Sequence, residues 1–180
     1  MFRPTSVKTA ITAWELKNNI PAAQAVEMGL QFQWPPIERM DASLAELVKC
    51  RKLSLSTNMI DRITGINSLT NLKILKLSRN KIRSLNGIEF LAYTLEELSV
   101  SYNYIEQLKP IDTMKALKVF HVANNLVSDW TNFDLMAAPP LEFMSFLGNP
   151  LEESLSDEIY KAEVKKRLPN LKYLDGDPIV

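Results

Sequence analysis

Cysteine, histidine and glycine are scarce in this 180-residue sequence, and each shortage closes off a class of chemistry. The single cysteine, Cys50, leaves no internal disulfide to form, which fits a reducing compartment. The single histidine, His121, stands far along the chain from that cysteine, and a metal site needs several convergent ligands. The five glycines form neither G-x-x-x-x-G-K-[ST] nor G-x-G-x-x-G, so there is no recognised phosphate-binding loop. No serine lies in a nucleophile motif. An excess of one charge is also missing: Lys+Arg and Asp+Glu each number 21, for a formal net charge of zero. Nucleic-acid-binding domains are usually basic, and a neutral chain has no general attraction to anionic lipid. No uncharged apolar run is long enough to form a membrane-spanning helix. The opening MFRPTSVKTAITAWELKNN lacks the apolar core and cleavage site of a secretory signal. These absences lead us to expect a non-enzymatic protein of the cytoplasm or of a structure continuous with it. It is expected to have no cofactor, no metal, and no nucleic-acid or membrane partner.

What the chain does have is a repeat. Five segments read CRKLSLSTNMI, LKILKLSRNKI, LEELSVSYNYI, LKVFHVANNLV and LEFMSFLGNPL, beginning at Cys50, Leu72, Leu95, Leu117 and Leu141. Their asparagines, Asn58, Asn80, Asn103, Asn125 and Asn149, are 22, 23, 22 and 24 residues apart. Leucines at alternate positions followed by an asparagine at this period predict a leucine-rich repeat solenoid of the α/β class. In each repeat a short strand turns its leucines inward and stacks in parallel on its neighbours. The asparagine turns inward to bond backbone groups that no ladder satisfies. The segments returning to the next strand, such as Ile82–Leu85–Ile88, are expected to be helical. Gly65 and Gly87 occupy matching repeat positions and read as turn residues. Leu30, Phe32, Pro35, Ile37 and Met40 align 23 residues ahead of Leu53, Leu55, Asn58, Ile60 and Ile63. That alignment gives a degenerate first repeat with proline in place of asparagine, and about six repeats over residues 30–151.

Both ends carry cover segments. Residues 1–29 are expected to form an N-terminal helical cap, with residues 6–30 read as helical, a break at Pro21, and Val7, Ala10, Ile11 and Trp14 as its apolar stripe. Residues 152–180 form the C-terminal cap. Tyr160, Val164 and Leu168 line one helix face, Pro169 ends the helix, and Leu171 and Leu174 make a last partial turn. Such covers shield the open ends of a solenoid core. The basic run Lys165-Lys166-Arg167 reads as a solvated helix face balanced by Glu153, Asp157, Glu158 and Glu163. Contact with an acidic partner is the less favoured reading. Cys50 takes the place of Leu72 and Leu117 and reads as a small core residue.

A solenoid offers a long continuous surface, so binding is the expected business of this chain. Strand alternation assigns Gln31 and Gln33 to the outward face of the first repeat. The later strands turn out Lys52, Ser54 and Ser56; Ile74, Lys76 and Ser78; Glu97, Ser99 and Ser101; Val119, His121 and Ala123; and Phe143, Ser145 and Leu147. The early strands show small polar groups there and the late ones show apolar groups. Exposed apolar patches mark binding sites, and aromatic anchors dominate interface energy. The candidate protein-binding residues are therefore Ile74, Lys76, Glu97, Tyr102, Val119, His121, Phe143 and Leu147, with Tyr104 as an extension. The alternative is that the C-terminal cap folds over Phe143 and Leu147.

Several stretches carry a resemblance more specific than the repeat: PPIERMDASLAELVKCRKLSLSTN, LNGIEFL, TLEELSVSYNYIE, NNLVSDW, GNPLEE, LPNLKYLDG and the N-terminal TAITAWE. With the cap pattern, they make the chain resemble the leucine-rich repeat subfamily typified by a protein phosphatase regulator. Within that subfamily it resembles the outer-arm axonemal dynein light chains. The resemblance covers nearly the whole chain. It implies a non-catalytic light chain, located in the cytoskeleton of the ciliary or flagellar axoneme. The implied partner is the motor region of an outer-arm dynein heavy chain, at its microtubule-binding stalk tip, with tubulin as a further candidate. The light chain would act as a monomer within the dynein complex and modulate motor activity. The other reading of the same fold is a different scaffold, such as a phosphatase regulator or a spliceosomal adaptor.

Overall fold

Alternating leucines dictate the centre of each repeat in the computed structural model, which describes residues 3–179. Met1, Phe2 and Val180, which the expected caps include, lie outside the described residues. Helix α1 (Val7–Asn18) is followed by strands β1 (Glu27–Gly29), β2 (Lys52–Ser54), β3 (Ile74–Lys76), β4 (Glu97–Ser99) and β5 (Val119–His121). Helix α2 (Trp130–Asp134), β6 (Phe143–Ser145), helices α3 (Pro150–Glu153) and α4 (Asp157–Arg167), and β7 (Tyr173–Leu174) and β8 (Asp177–Pro178) complete the chain. The eight strands form one sheet in chain order, parallel from β1 to β7, with β8 antiparallel on β7. Consecutive parallel strands in order and register are the topology of a leucine-rich repeat solenoid.

Met28, Leu53, Leu75, Leu98, Phe120, Met144 and Leu174 pair across the sheet as one inward row. Leu30, Leu55, Leu77, Val100, Val122 and Phe146 form a second row, also buried. Ile60, Ile82, Ile105 and Val127 face them from the returning side and complete the core.

The asparagines form a second scaffold. Asn80 Nδ2 donates to the Leu55 carbonyl of the preceding turn (3.1 Å) and to Leu77 of its own turn (3.0 Å), while its Oδ1 accepts from Ile60 N–H (2.9 Å). Asn58, Asn103, Asn125 and Asn149 repeat this three-way pattern. Each amide thus satisfies backbone groups buried between two turns.

Three expectations change in detail. The first strand lies at Glu27–Gly29, two residues earlier than the alignment on Ile37 placed it, so its outward residues are Glu27 and Gly29. Leu30 sits in register with Leu55, and Gln33, not Pro35, takes the asparagine's place. Phe32 is not a core residue: it turns the corner with φ +55° and stands 78% exposed. The cause is a longer corner, since Pro35-Pro36 insert two residues before Ile37, whose N–H is the one that reaches Asn58. Accordingly, residues 27–29 are strand and not part of a helix, and α1 ends at Asn18 with a 3-10 turn at Ala22–Gln24 before the sheet.

The third change concerns the returning segments, which are 3-10 turns at Ala42–Glu46, Ile88–Leu91 and Ile111–Thr113. A 3-10 turn rises about 2.0 Å per residue against 1.5 Å for an α-helix, so it crosses the same depth with fewer residues. Only the longest interval, between Asn125 and Asn149, has room for an α-helix, α2, capped by Asp129. Gly65 (φ +74°) and Gly87 (φ +107°) are turn residues, as expected. A Cβ at either would meet the carbonyl oxygen of Asp41 (2.2 Å) or Ile63 (2.4 Å) in the preceding turn.

The ends are closed by amphipathic elements. Val7, Ala10 and Ile11 of α1 are buried, Trp14 packs partly against them, and Ser6 Oγ caps the helix by accepting from Thr9 N–H. At the other end Tyr160, Val164 and Leu168 are buried under α4, beside the stacked and edge-on rings of Phe146, Phe133 and Trp130. The basic run divides here. Lys165 and Lys166 are exposed, but Arg167 lies 4.2 Å over the Trp130 ring and pairs with Asp134 (2.6 Å) and Glu163 (3.3 Å), fastening α4 to α2.

Candidate functional site

Strand alternation decides what the sheet shows to solvent, and register decides which outward side chains become neighbours. The first outward row runs Glu27, Lys52, Ile74, Glu97, Val119, Phe143, Tyr173. The second runs Gly29, Ser54, Lys76, Ser99, His121, Ser145. All seven strand-borne candidates lie on this face: Ile74, Lys76, Glu97, Val119, His121 and Phe143 on named strands, and Leu147 two residues beyond β6. Tyr102 stands at the corner after β4, at the edge of the same face.

The face has two halves. Toward β1 it is polar, with Lys52 3.9 Å from Glu27 and Lys76 3.7 Å from Glu97. Toward β6 it is apolar and aromatic. Phe143 and Leu147 keep 38% and 46% of their surface exposed, so the C-terminal cap does not fold over them. Instead the cap lengthens the patch: Tyr173 on β7 stacks on Phe143, with centroids 4.7 Å apart and planes 2° from parallel. Sequence alternation missed Tyr173 because β7 lacks the repeat's asparagine and has only two residues. The signal available was the spacing of Leu171 and Leu174, which puts Tyr173 on the opposite face from Leu174.

His121 is half-buried at the boundary between the halves, and its Nδ1 lies 2.8 Å from Ser145 Oγ. Burial pushes its pKa below the ordinary histidine value, Lys76 adds to that, and Glu97 opposes it. The imidazole is therefore neutral at pH 7 and available as a hydrogen-bonding group. Cys50 is fully buried, and its thiol pKa is pushed up to about 11 by that burial, which makes it a core residue with little thiolate character.

The geometry of the patch is fixed from the cap side by Asp175. It occupies a left-handed corner (φ +53°), and its Oδ1 accepts from Phe146 N–H (2.6 Å) and Leu147 N–H (3.1 Å). Tyr160 Oη donates to its Oδ2 (2.9 Å). Asp175 thus stands in for a strand carbonyl at the end of the parallel ladder and holds the backbone that carries Leu147.

A second feature lies along the sheet's corner edge. Arg79 lies 4.1 Å over the Tyr102 ring and Arg83 5.6 Å over that of Tyr104. Beyond Arg83, on the returning side, a cleft of about 910 Å³ is lined by Arg62, Gly65, Asn86, Glu89 and Phe90 among others. Among the described residues, no three His, Cys, Asp or Glu side chains converge as metal ligands would, and no helix is long and apolar enough to cross a membrane.

Comparison with known proteins agrees with this architecture. The chain is 57% identical to dynein axonemal light chain 1 of Homo sapiens over 182 residues, covering 100% of this chain and 96% of that protein. Identity to the Ciona intestinalis protein of the same name is 58% with the same coverage. Identity to that of Chlamydomonas reinhardtii is 48%, covering 99% of this chain and 93% of that protein. Among solved structures, a leucine-rich repeat protein of Leptospira interrogans superposes with a TM-score of 0.67 at 26% identity, covering 84% of this chain and 37% of that one. An internalin of Listeria monocytogenes gives 0.65 at 26% identity, covering 84% and 41%. No family model matches the chain. Full-length identity near 57% and a repeat architecture shared with solved leucine-rich repeat proteins lead to one placement: the chain belongs to the axonemal dynein light chain 1 family, leucine-rich repeat proteins of the ciliary and flagellar axoneme.

Proposed function

We propose that this chain is a non-catalytic light chain that binds an outer-arm dynein heavy chain at its microtubule-binding stalk tip and modulates the motor. The contact surface is the outward face of the sheet: Ile74, Lys76, Glu97, Val119, His121, Phe143 and Leu147, with Tyr102 at its edge. The observation that carries this is the in-register row Ile74–Glu97–Val119–Phe143–Tyr173, in which a polar half gives way to an exposed aromatic pair. A contiguous apolar patch on an otherwise wet sheet face is the usual mark of an interface, and its aromatic members supply the anchors. The polar half adds register and steering more than affinity, because exposed charge pairs are individually weak.

Calorimetric titration of the chain against a recombinant stalk tip, microtubule-binding domain included, tests the reading. Saturable one-to-one binding is expected. Phe143→Ala, His121→Ala and Tyr102→Ala should each weaken it, Phe143→Ala by about tenfold or more, without lowering the melting temperature. Unchanged affinity in all three would move the interface to the returning side or an end cap. No binding to a folded stalk tip would turn attention to other regions of the heavy chain and then to other scaffolding roles. The same titration with tubulin dimers tests the second partner.

A further inference from the structure

The corner edge of the sheet carries a group of cations that form no ion pair among the described residues. Residues Thr57, Arg79, Tyr102 and Asn124 occupy equivalent left-handed corners, with φ between +54° and +59°. Successive turns of such a sheet lie about 4.8 Å apart, so the corners form a closely spaced edge. On the third turn that edge bears Arg79, Lys81 and Arg83, all exposed. On the fourth it bears Tyr102 and Tyr104, each 47% exposed, and these are the rings under the two guanidiniums.

The Tyr102 ring restrains the Arg79 guanidinium at 4.1 Å and the Tyr104 ring holds that of Arg83 more loosely at 5.6 Å, while their N–H groups stay free of protein partners among the described residues. Among the described residues, Arg79, Lys81 and Arg83 enter none of the ion pairs. They also make no side-chain hydrogen bonds to other described residues. The contrast with the adjoining face is sharp, since Lys52 and Lys76 there are each matched to a carboxylate. The acids on the turns either side of Arg83, Asp61 and Glu106, are exposed and form no ion pair with it, and Glu89 Oε2 is turned onto Gly87 N–H (2.7 Å).

We infer that this edge is a docking site for an acidic peptide segment, adjoining the apolar patch of the sheet face at Tyr102. Two guanidiniums seated near aromatic rings present forked donors that match carboxylates in a bidentate manner, and Lys81 between them adds a third positive charge. The aromatic platforms restrain the forks before binding, which lowers the ordering cost of the complex. Basic groups interleaved with aromatics also suit single-stranded nucleic acid. The zero net charge of the whole chain favours the peptide, because a polyanion longer than the edge would meet no further positive field.

The test is fluorescence anisotropy of a fluorescein-labelled deca-glutamate peptide titrated with the full chain, against a deca-glutamine peptide with the same label. Saturable, salt-weakened binding of the glutamate peptide alone is expected. The double variant Arg79→Gln/Arg83→Gln should lower its affinity at least tenfold, while Lys165→Gln/Lys166→Gln, on the other basic cluster, should leave it within about twofold. Amide chemical shifts of the unmutated protein should move at residues 79–83 and 102–104 when the peptide is added, a readout that needs no variant. Three results would each overturn the proposal: no binding at low salt, equal loss in both double variants, or tighter binding of a ten-nucleotide single-stranded RNA than of the peptide.

Discussion

Asn103 holds the Leu77 and Val100 carbonyls and the Ile82 N–H with one side chain, at 3.0, 2.9 and 2.9 Å. Asn103→Ala leaves those groups buried and unpaired, and each such loss costs on the order of 1–3 kcal/mol. We expect a loss of at least that size in urea unfolding, with leucine at the same position no better, because volume does not replace the bonds. His121 gives a pH prediction of definite sign. Burial holds its folded pKa below the ordinary value, so the unfolded chain takes up the proton more readily than the folded one. Its contribution to stability is whole above the unfolded pKa of about 6.5 and is lost as the pH falls through the folded value. Melting temperatures measured between neutral and mildly acid pH should therefore fall further for the unmutated chain than for His121→Gln. An equal fall in both would show that the imidazole titrates alike in the two states.

At the scale of the element, the strand and its asparagine were fully legible in sequence, because leucine alternation and the amide each have one physical use at that spacing. Tyr160, Val164 and Leu168 were legible for the same reason, since a helix face repeats. What could not be read was the corner of the first repeat, where Pro35-Pro36 lengthen the path and move the strand two residues toward the N-terminus. The 3-10 character of the returning segments was also hidden, because spacings such as Ile82–Leu85–Ile88 satisfy either helix. Asp175 belongs to this scale too. It follows β7 in register with Ser145, and its carboxylate accepts from Phe146 N–H, where a further repeat would offer a strand carbonyl, and from Leu147 N–H and Tyr160 Oη. Hydrogen bonds to a charged group are worth about 1.5–3 kcal/mol. Asp175→Ala should destabilise the chain by about that much in denaturant unfolding, and it should also weaken stalk-tip binding by releasing the backbone under Leu147. Loss of stability with binding intact would separate the cap from the patch.

For the whole molecule, the sequence located the outward face through strand alternation, and register then made its residues neighbours. It did not disclose Tyr173, which arrives from the cap, or the partnership of Arg79 and Arg83 with the tyrosines of the following turn. Those pairings depend on corner conformation between repeats, which no single repeat encodes. The unbroken chain of amides from Asn58 to Asn149 has a mechanical consequence. Each turn is stitched only to the turns on either side, so tension along the solenoid axis passes through every stitch in series. Past Asn149 the seventh strand is joined to the sixth by strand pairing and the Asp175 carboxylate, without an amide stitch. A pull on the C-terminal end first meets the β7–β8 pairing, where Ile179 N–H donates to the Lys172 carbonyl (3.0 Å), and reaches the Tyr160–Asp175 pair only after it.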